Sequence, residues 1–129
     1  MMIPKKSPVF AKKVWTLKTA DNKFAKRIKD YNNHLCEYCG RACGQMELSH
    51  FHPRGVMATR FCDDNADCFG KWCHAKLEYR KSPNDVYWNW KLKKLGSERF
   101  AKLQDLARSK ISSLRDTIEE FMTQGPLYE

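Results

Sequence analysis

Six of the 129 residues are cysteines, and all six fall between positions 36 and 73: Cys36, Cys39, Cys43, Cys62, Cys68 and Cys73. The run Cys36-Glu37-Tyr38-Cys39-Gly40 has the CxxC spacing that lets two thiolates reach one ion, with a glycine to relieve the tight turn. An even cysteine count also permits three disulfides. That arrangement suits an exported chain, whereas the opening MMIPKKSPVF carries two lysines and two prolines and no apolar signal core. The pattern predicts a structural Zn2+ held by Cys36, Cys39, Cys73 and Cys68, with Cys43 and Cys62 competing for the fourth position. Zinc with four sulfur ligands has no open coordination position, so it would hold a scaffold and leave chemistry to its neighbours.

Those neighbours are Glu47-Leu48-Ser49-His50-Phe51-His52-Pro53-Arg54-Gly55, then Arg60-Phe61-Cys62-Asp63-Asp64-Asn65, then Cys73-His74. A histidine at the end of a strand is followed by an asparagine fifteen residues on and a second histidine nine beyond that. This order, bracketed by the cysteines, resembles the HNH (His-Me finger, ββα-metal) endonucleases, and within them most of all the phage NinG/Rap recombination proteins. The likeness rests on CxxCG, Ser49-His50-Phe51, Arg60-Phe61 with Asn65, Cys73 before His74, and Leu95-Gly96, and covers roughly residues 15–110. Two positions depart from the pattern: Gly70 stands where a second CxxC would begin, and Ser49 where many HNH enzymes carry an Asp or His metal ligand.

The resemblance implies a metal-dependent DNA endonuclease with His50, Asn65 and His74 in the catalytic positions. His50 would take the proton of the attacking water, since a neutral imidazole serves as a base at physiological pH. His74 would hold a catalytic Mg2+ or Mn2+, with Glu47 or His52 as candidate partners. Asn65 does not titrate usefully, so it would orient the loop and the His50 ring. Products with 5′-phosphate and 3′-hydroxyl ends are implied, in phage recombination or DNA processing, with branched DNA such as Holliday junctions as a candidate substrate. The corresponding location is the cytoplasm of an infected bacterial host.

These residues need elements to hold them. Phe24, Ile28 and Tyr31 recur at helical spacing between Thr19 and Tyr31, giving an amphipathic helix with a cationic outer face. Residues 36–48 read as the knuckle and a short strand, and a helix begins near Lys71 and stops before Pro83. Asn84 or Asp85 caps the next helix. The last segment, 97–123, reads as one long C-terminal helix from Phe100 to Met122, long enough on so small a domain to offer a homodimer seam. The expected fold class is α+β: a zinc-stabilised ββα-metal core over 14–96, flanked by helices, after a basic irregular segment over 1–13.

The chain has 24 Lys and Arg against 15 Asp and Glu, a formal charge of +9. Nine of those cations and only two acids lie in residues 1–30. Such a field attracts polyanions, nucleic acid being the usual one. Lys23, Lys26, Arg27 and Lys29 on the first helix and Arg54 and Arg60 beside the histidines are the candidate phosphate contacts. With 30% charged and 42% hydrophobic residues and no apolar run of the ~18–20 residues that a bilayer requires, neither a disordered tail nor a membrane span is expected. A non-catalytic zinc-finger nucleic-acid-binding module would need only the knuckle and the charge, and an RNA-directed protein shares every feature; a mere binder has no use for His50, Asn65 and His74 together.

Overall fold

A computed structural model describes residues 15–124. The expected basic segment 1–13 lies outside them. The described chain is α+β, in the order α1 (Leu17–Tyr31), β1 (Met46–His50), β2 (Ala66–Gly70), α2 (Lys71–Leu77), α3 (Val86–Arg108) and α4 (Leu114–Thr123). No helix among these residues is long and apolar enough to cross a membrane.

Helix α1 begins at Thr16, whose hydroxyl accepts the Thr19 amide at 3.1 Å, and buries Ala20, Phe24 and Ile28 along one stripe. β1 and β2 pair antiparallel with Met46 opposite Gly70, Leu48 opposite Cys68 and His50 opposite Ala66. Between them, residues 51–65 make a loop with two single 3-10 turns at Met57–Thr59 and Asp63–Asn65. α2 follows β2 with no intervening residue, so the sheet and helix share one frame.

An aromatic core joins the layers. Phe51 meets Phe100 with ring centroids 5.8 Å apart, Phe69 meets Tyr87 at 5.3 Å, and Phe61 stacks on Phe121 at 4.7 Å. Tyr87 is fully buried and Trp88 and Trp90 pack against the same core, so these rings stabilise the fold. Beneath the sheet runs a buried polar network. Asp67 accepts from Lys91 at 2.9 Å, from Lys94 and from the Tyr87 hydroxyl, which also meets Ser49 at 3.0 Å. Lys94 continues to Glu37 at 2.7 Å, and Glu37 accepts the Cys68 amide. Burial raises the Asp67 carboxyl, but the two lysines prevail and hold it below the usual range.

The C-terminal segment corrects the expectation of one helix over 97–123. Its first half does begin just after Gly96, where φ of 81° and ψ of 161° break the helical backbone within α3, and it ends at Arg108. Its second half is the separate α4, because Ser109 ends α3 and Ser113 caps α4 by accepting the Asp116 amide at 2.9 Å. Serines compete locally for backbone groups, and here they turn the chain so that Ile118 and Phe121 return to the core. The unbroken helix that suggested a dimer seam is absent from the described residues.

Candidate metal centre and catalytic cleft

Two groups of chemically competent side chains flank α2, and adjacent residues of that helix serve them. Cys73 faces the first group. The sulfurs of Cys36, Cys39, Cys43 and Cys73 all lie within 4.8 Å of one another, and Cys43 Sγ is 3.5 Å from Cys73 Sγ. A tetrahedral Zn–S4 site, with bonds near ~2.3 Å, needs sulfurs roughly 3.8 Å apart. The donor set therefore fits a structural zinc. Crowding also separates the thiols chemically: Cys39 is lowered to about 7, first by a backbone hydrogen bond from Arg41, while desolvation and neighbouring thiols raise Cys43 and Cys73. Four thiolates cannot share this space without a cation.

Cys43, not Cys68, completes the group. Cys68 sits in β2 with no exposed surface, and burial followed by the nearby Glu37 pushes its thiol up to about 11, so it packs as a neutral core side chain. Gly70 explains how Cys43 enters. A side-chain carbon at residue 70 would collide with the Cys43 sulfur and carbonyl, so the missing side chain is the space the Cys43 sulfur uses. Cys62, the other competitor, lies on the 51–65 loop and is not part of the four-sulfur group.

His74 faces the second group, a cleft of about 560 Å3 lined by Glu47, Leu48, His50, Pro53, Arg54, His74 and Glu78 among others. His50 ends β1 and is 9% exposed, against Phe24. Its Nε2 lies 3.1 Å from the Arg60 carbonyl, which only accepts; that contact assigns the ring proton to Nε2 and leaves Nδ1 with its lone pair. Desolvation, aided by Arg54 and Arg60, lowers His50 to about 4, so the ring is neutral at physiological pH. His74 is held differently. Its Nδ1 is 2.8 Å from Glu47 and its Nε2 is 2.9 Å from Glu78, four residues along the same helix face. An imidazole with a carboxylate at each nitrogen accommodates two protons, or one proton and one cation.

Asn65 is fully buried and staples the loop behind His50. Its Oδ1 accepts the His52 amide at 2.7 Å, its Nδ2 donates to the His52 carbonyl at 3.0 Å, and its own carbonyl accepts the Phe51 amide. It fixes the residues after His50 without touching the ring. His52 turns away to Gln104 at 2.6 Å, so of the two partners expected for His74 only Glu47 reaches it, beside Glu78. Ser49 faces the buried network through Tyr87.

The basic residues divide. Arg60, 8% exposed, forks onto Asp21 at 2.9 and 2.6 Å and donates to the Arg54 carbonyl, so it braces the loop and is not a free phosphate clamp. Arg27 pairs with Asp63 at 2.8 Å and lies over the Phe24 and Phe121 rings, inside the fold instead of on a solvated face. Lys23 donates to the Met122 carbonyl and Lys26 pairs with Asp30. Arg54 lines the cleft, and Lys29 lines an adjoining hollow on the α1 side that shares Glu47, His50, Arg54 and His74 with it. Two contributors escaped the sequence reading. Glu78 was detectable as the i+4 neighbour of His74. Lys81 was not: its ammonium bridges Glu78 at 2.8 Å and the His50 carbonyl at 2.7 Å across a turn.

No family model matches the chain, and no curated protein or solved structure matches it either.

Proposed function

We propose that this chain is a zinc-stabilised, divalent-metal-dependent DNA endonuclease of the HNH kind, similar to the phage NinG/Rap recombination proteins, with β1, β2 and α2 as its ββα-metal core. One observation carries the reading: a neutral histidine whose Nδ1 has no hydrogen-bond partner among the described residues and a second histidine flanked by two carboxylates line the same cleft. A non-catalytic zinc-binding module needs no such pairing.

In this reading His50 accepts the proton of the attacking water at Nδ1, while the Arg60 carbonyl keeps the ring proton on Nε2. Asn65 holds residues 51–52 so that the ring keeps its place. Glu47 orients His74, and His74 Nε2 with Glu78 provides donors that suit a divalent ion. Mg2+ or Mn2+ there would supply Lewis-acid charge to the scissile phosphate and the departing oxygen. Lys29 and Arg54 attract the DNA backbone toward the cleft. The four-thiol site anchors α2 and takes no part in the chemistry.

The test is cleavage of supercoiled plasmid and of a synthetic four-way junction with added Mg2+ or Mn2+. His50→Ala is expected to lose ~10²–10⁴-fold in rate while keeping zinc, fold and DNA affinity. DNA binding by a wild-type protein that cleaves neither substrate under any divalent ion would leave the non-catalytic binding module as the reading.

A further inference from the structure

Two aromatic rings that the core does not use stand at the two ends of the α2 segment, one on the helix and one in the turn that follows it. Trp72, in the first turn of α2, is 71% exposed, and Tyr79, in the turn just past the end of α2 at Leu77, is 90% exposed. Single exposed aromatics are ordinary, but these two have a setting. Trp72 is braced from below: Gly44, with φ at 97°, lies so close that a side chain there would press on the indole Cδ1 and Nε1, and the Trp72 amide donates to the Cys43 carbonyl. The Gly44 backbone therefore backs one edge of the ring while most of its surface meets solvent. Tyr79 stands on the rim of the catalytic cleft beside Glu78.

Charge surrounds these rings. Lys71, Lys76 and Arg80 are all exposed on the same stretch, and neither Lys71 nor Lys76 has an ion-pair partner among the described residues. Arg80 makes only a long 3.9 Å approach to Asp85. On α1, by contrast, Lys23, Lys26 and Arg27 are occupied by the chain itself. Cations interleaved with exposed rings are what an unpaired strand needs, because phosphates meet the ammonium groups while bases, freed from their own stack, lie on aromatic faces. A duplex keeps its bases stacked inward and gains only the charge.

We propose that Trp72 and Tyr79 form a base-stacking strip for single-stranded DNA, leading from the thiol cluster to the mouth of the cleft. The strip rests on the nucleic-acid reading above and sharpens it: the preferred substrate has unpaired nucleotides next to the scissile phosphate. Stacking on Tyr79 would hold a displaced base at the cleft rim, with its backbone passing Lys71.

The experiment is a binding titration of the zinc-loaded full chain, without added Mg2+ or Mn2+, against a labelled single-stranded oligodeoxynucleotide, its duplex and the matching RNA. Trp72→Ala and Tyr79→Ala are each expected to weaken single-strand binding roughly tenfold and duplex binding less than about twofold. Trp72→Phe should retain most of the affinity, and zinc content should be unchanged in all three. Tyr79 lies outside the four-thiol group, so its variant reads the strip even if Trp72→Ala disturbs the knuckle. Unchanged single-strand affinity in Tyr79→Ala, equal losses on single strand and duplex, or tighter binding of RNA would overturn the strip. Plasmid cleavage by the wild-type protein, measured alongside, separates the cases: cleavage with an idle strip removes only this inference, whereas neither binding nor cleavage of any DNA removes the underlying reading as well.

Discussion

Cys73 and His74 are neighbours on α2, yet they belong to sites built on opposite principles. The thiol cluster is assembled by backbone: a CxxC turn with Gly40 in the left-handed region, and a second loop whose Cys43 enters the space left by Gly70. Its four donors are all spoken for once an ion is bound. The cleft is assembled by side-chain hydrogen bonds: His50 to the Arg60 carbonyl, His74 with Glu47 and Glu78, Lys81 to Glu78 and to the His50 carbonyl. Its groups keep spare capacity, a lone pair on His50 and carboxylate oxygens beside His74. A saturated donor set suits a structural role, and an unsaturated one is what the proposed chemistry requires. One short helix fixes the two relative to each other.

This contrast can be broken most directly at the thiols. Cys43→Ser is expected to lose the zinc and, with it, several kcal/mol of folding stability, since structural zinc sites contribute on the order of 10 kcal/mol in small domains. Cys68→Ser should keep the metal and cost roughly 1–3 kcal/mol for burying a hydroxyl in the core. Metal content of the purified variants and their thermal melts report both. Zinc lost from Cys68→Ser and kept by Cys43→Ser would reverse the assignment.

The cleft should respond in the opposite sense. His74→Ala is expected to leave zinc content intact and to alter stability by no more than about 1 kcal/mol, because its carboxylate contacts are partly exposed. Its cleavage rate should fall at least tenfold and recover in part at higher Mg2+ or Mn2+. A His74 variant that unfolds, or that sheds zinc, would mean the two sites are not separable.

His50 adds an effect that appears only in acid. Burial lowers its folded pKa to about 4, below the ordinary ~6.5 of an unfolded chain. The unfolded state therefore binds the proton first as pH falls. His50 contributes stability that is complete above about pH 6.5 and is lost progressively down to about pH 4, at a slope no steeper than ~1.4 kcal/mol per pH unit. His52, also lowered by burial, adds to the slope with the same sign. NMR titration of the ring should place the His50 transition near pH 4, and His50→Gln should flatten part of the acid slope. A ring titrating near its ordinary value would mean that the cleft is wetter than its packing against Phe24 implies.

Local pattern was enough for much of this chain. The first helix with Phe24 and Ile28 on its buried stripe, the CxxC turn, the helix carrying Cys73 and His74, and a cap at Asn84 or Asp85 follow from spacing and capping chemistry that act within a few residues. Tyr31, expected on the same stripe, is exposed, and the cap falls to Asp85. The resemblance to HNH endonucleases offered Glu47 or His52 as the partner of His74 and Asn65 as an orienting group; choosing Glu47 over His52 took the tertiary contacts. Tertiary structure decided what depends on who is nearby. It chose Cys43 over Cys68, since a sulfur's access depends on strand packing and on the gap at Gly70. It took Arg27 and Arg60 from the surface into pairs with Asp63 and Asp21, acids 36 and 39 residues away in the chain. It assembled Asp67, Lys91, Lys94 and Glu37 into one buried network. Charge and thiol chemistry are properties of residue types; their availability is set by burial and by partners distant in sequence, and no local period encodes either.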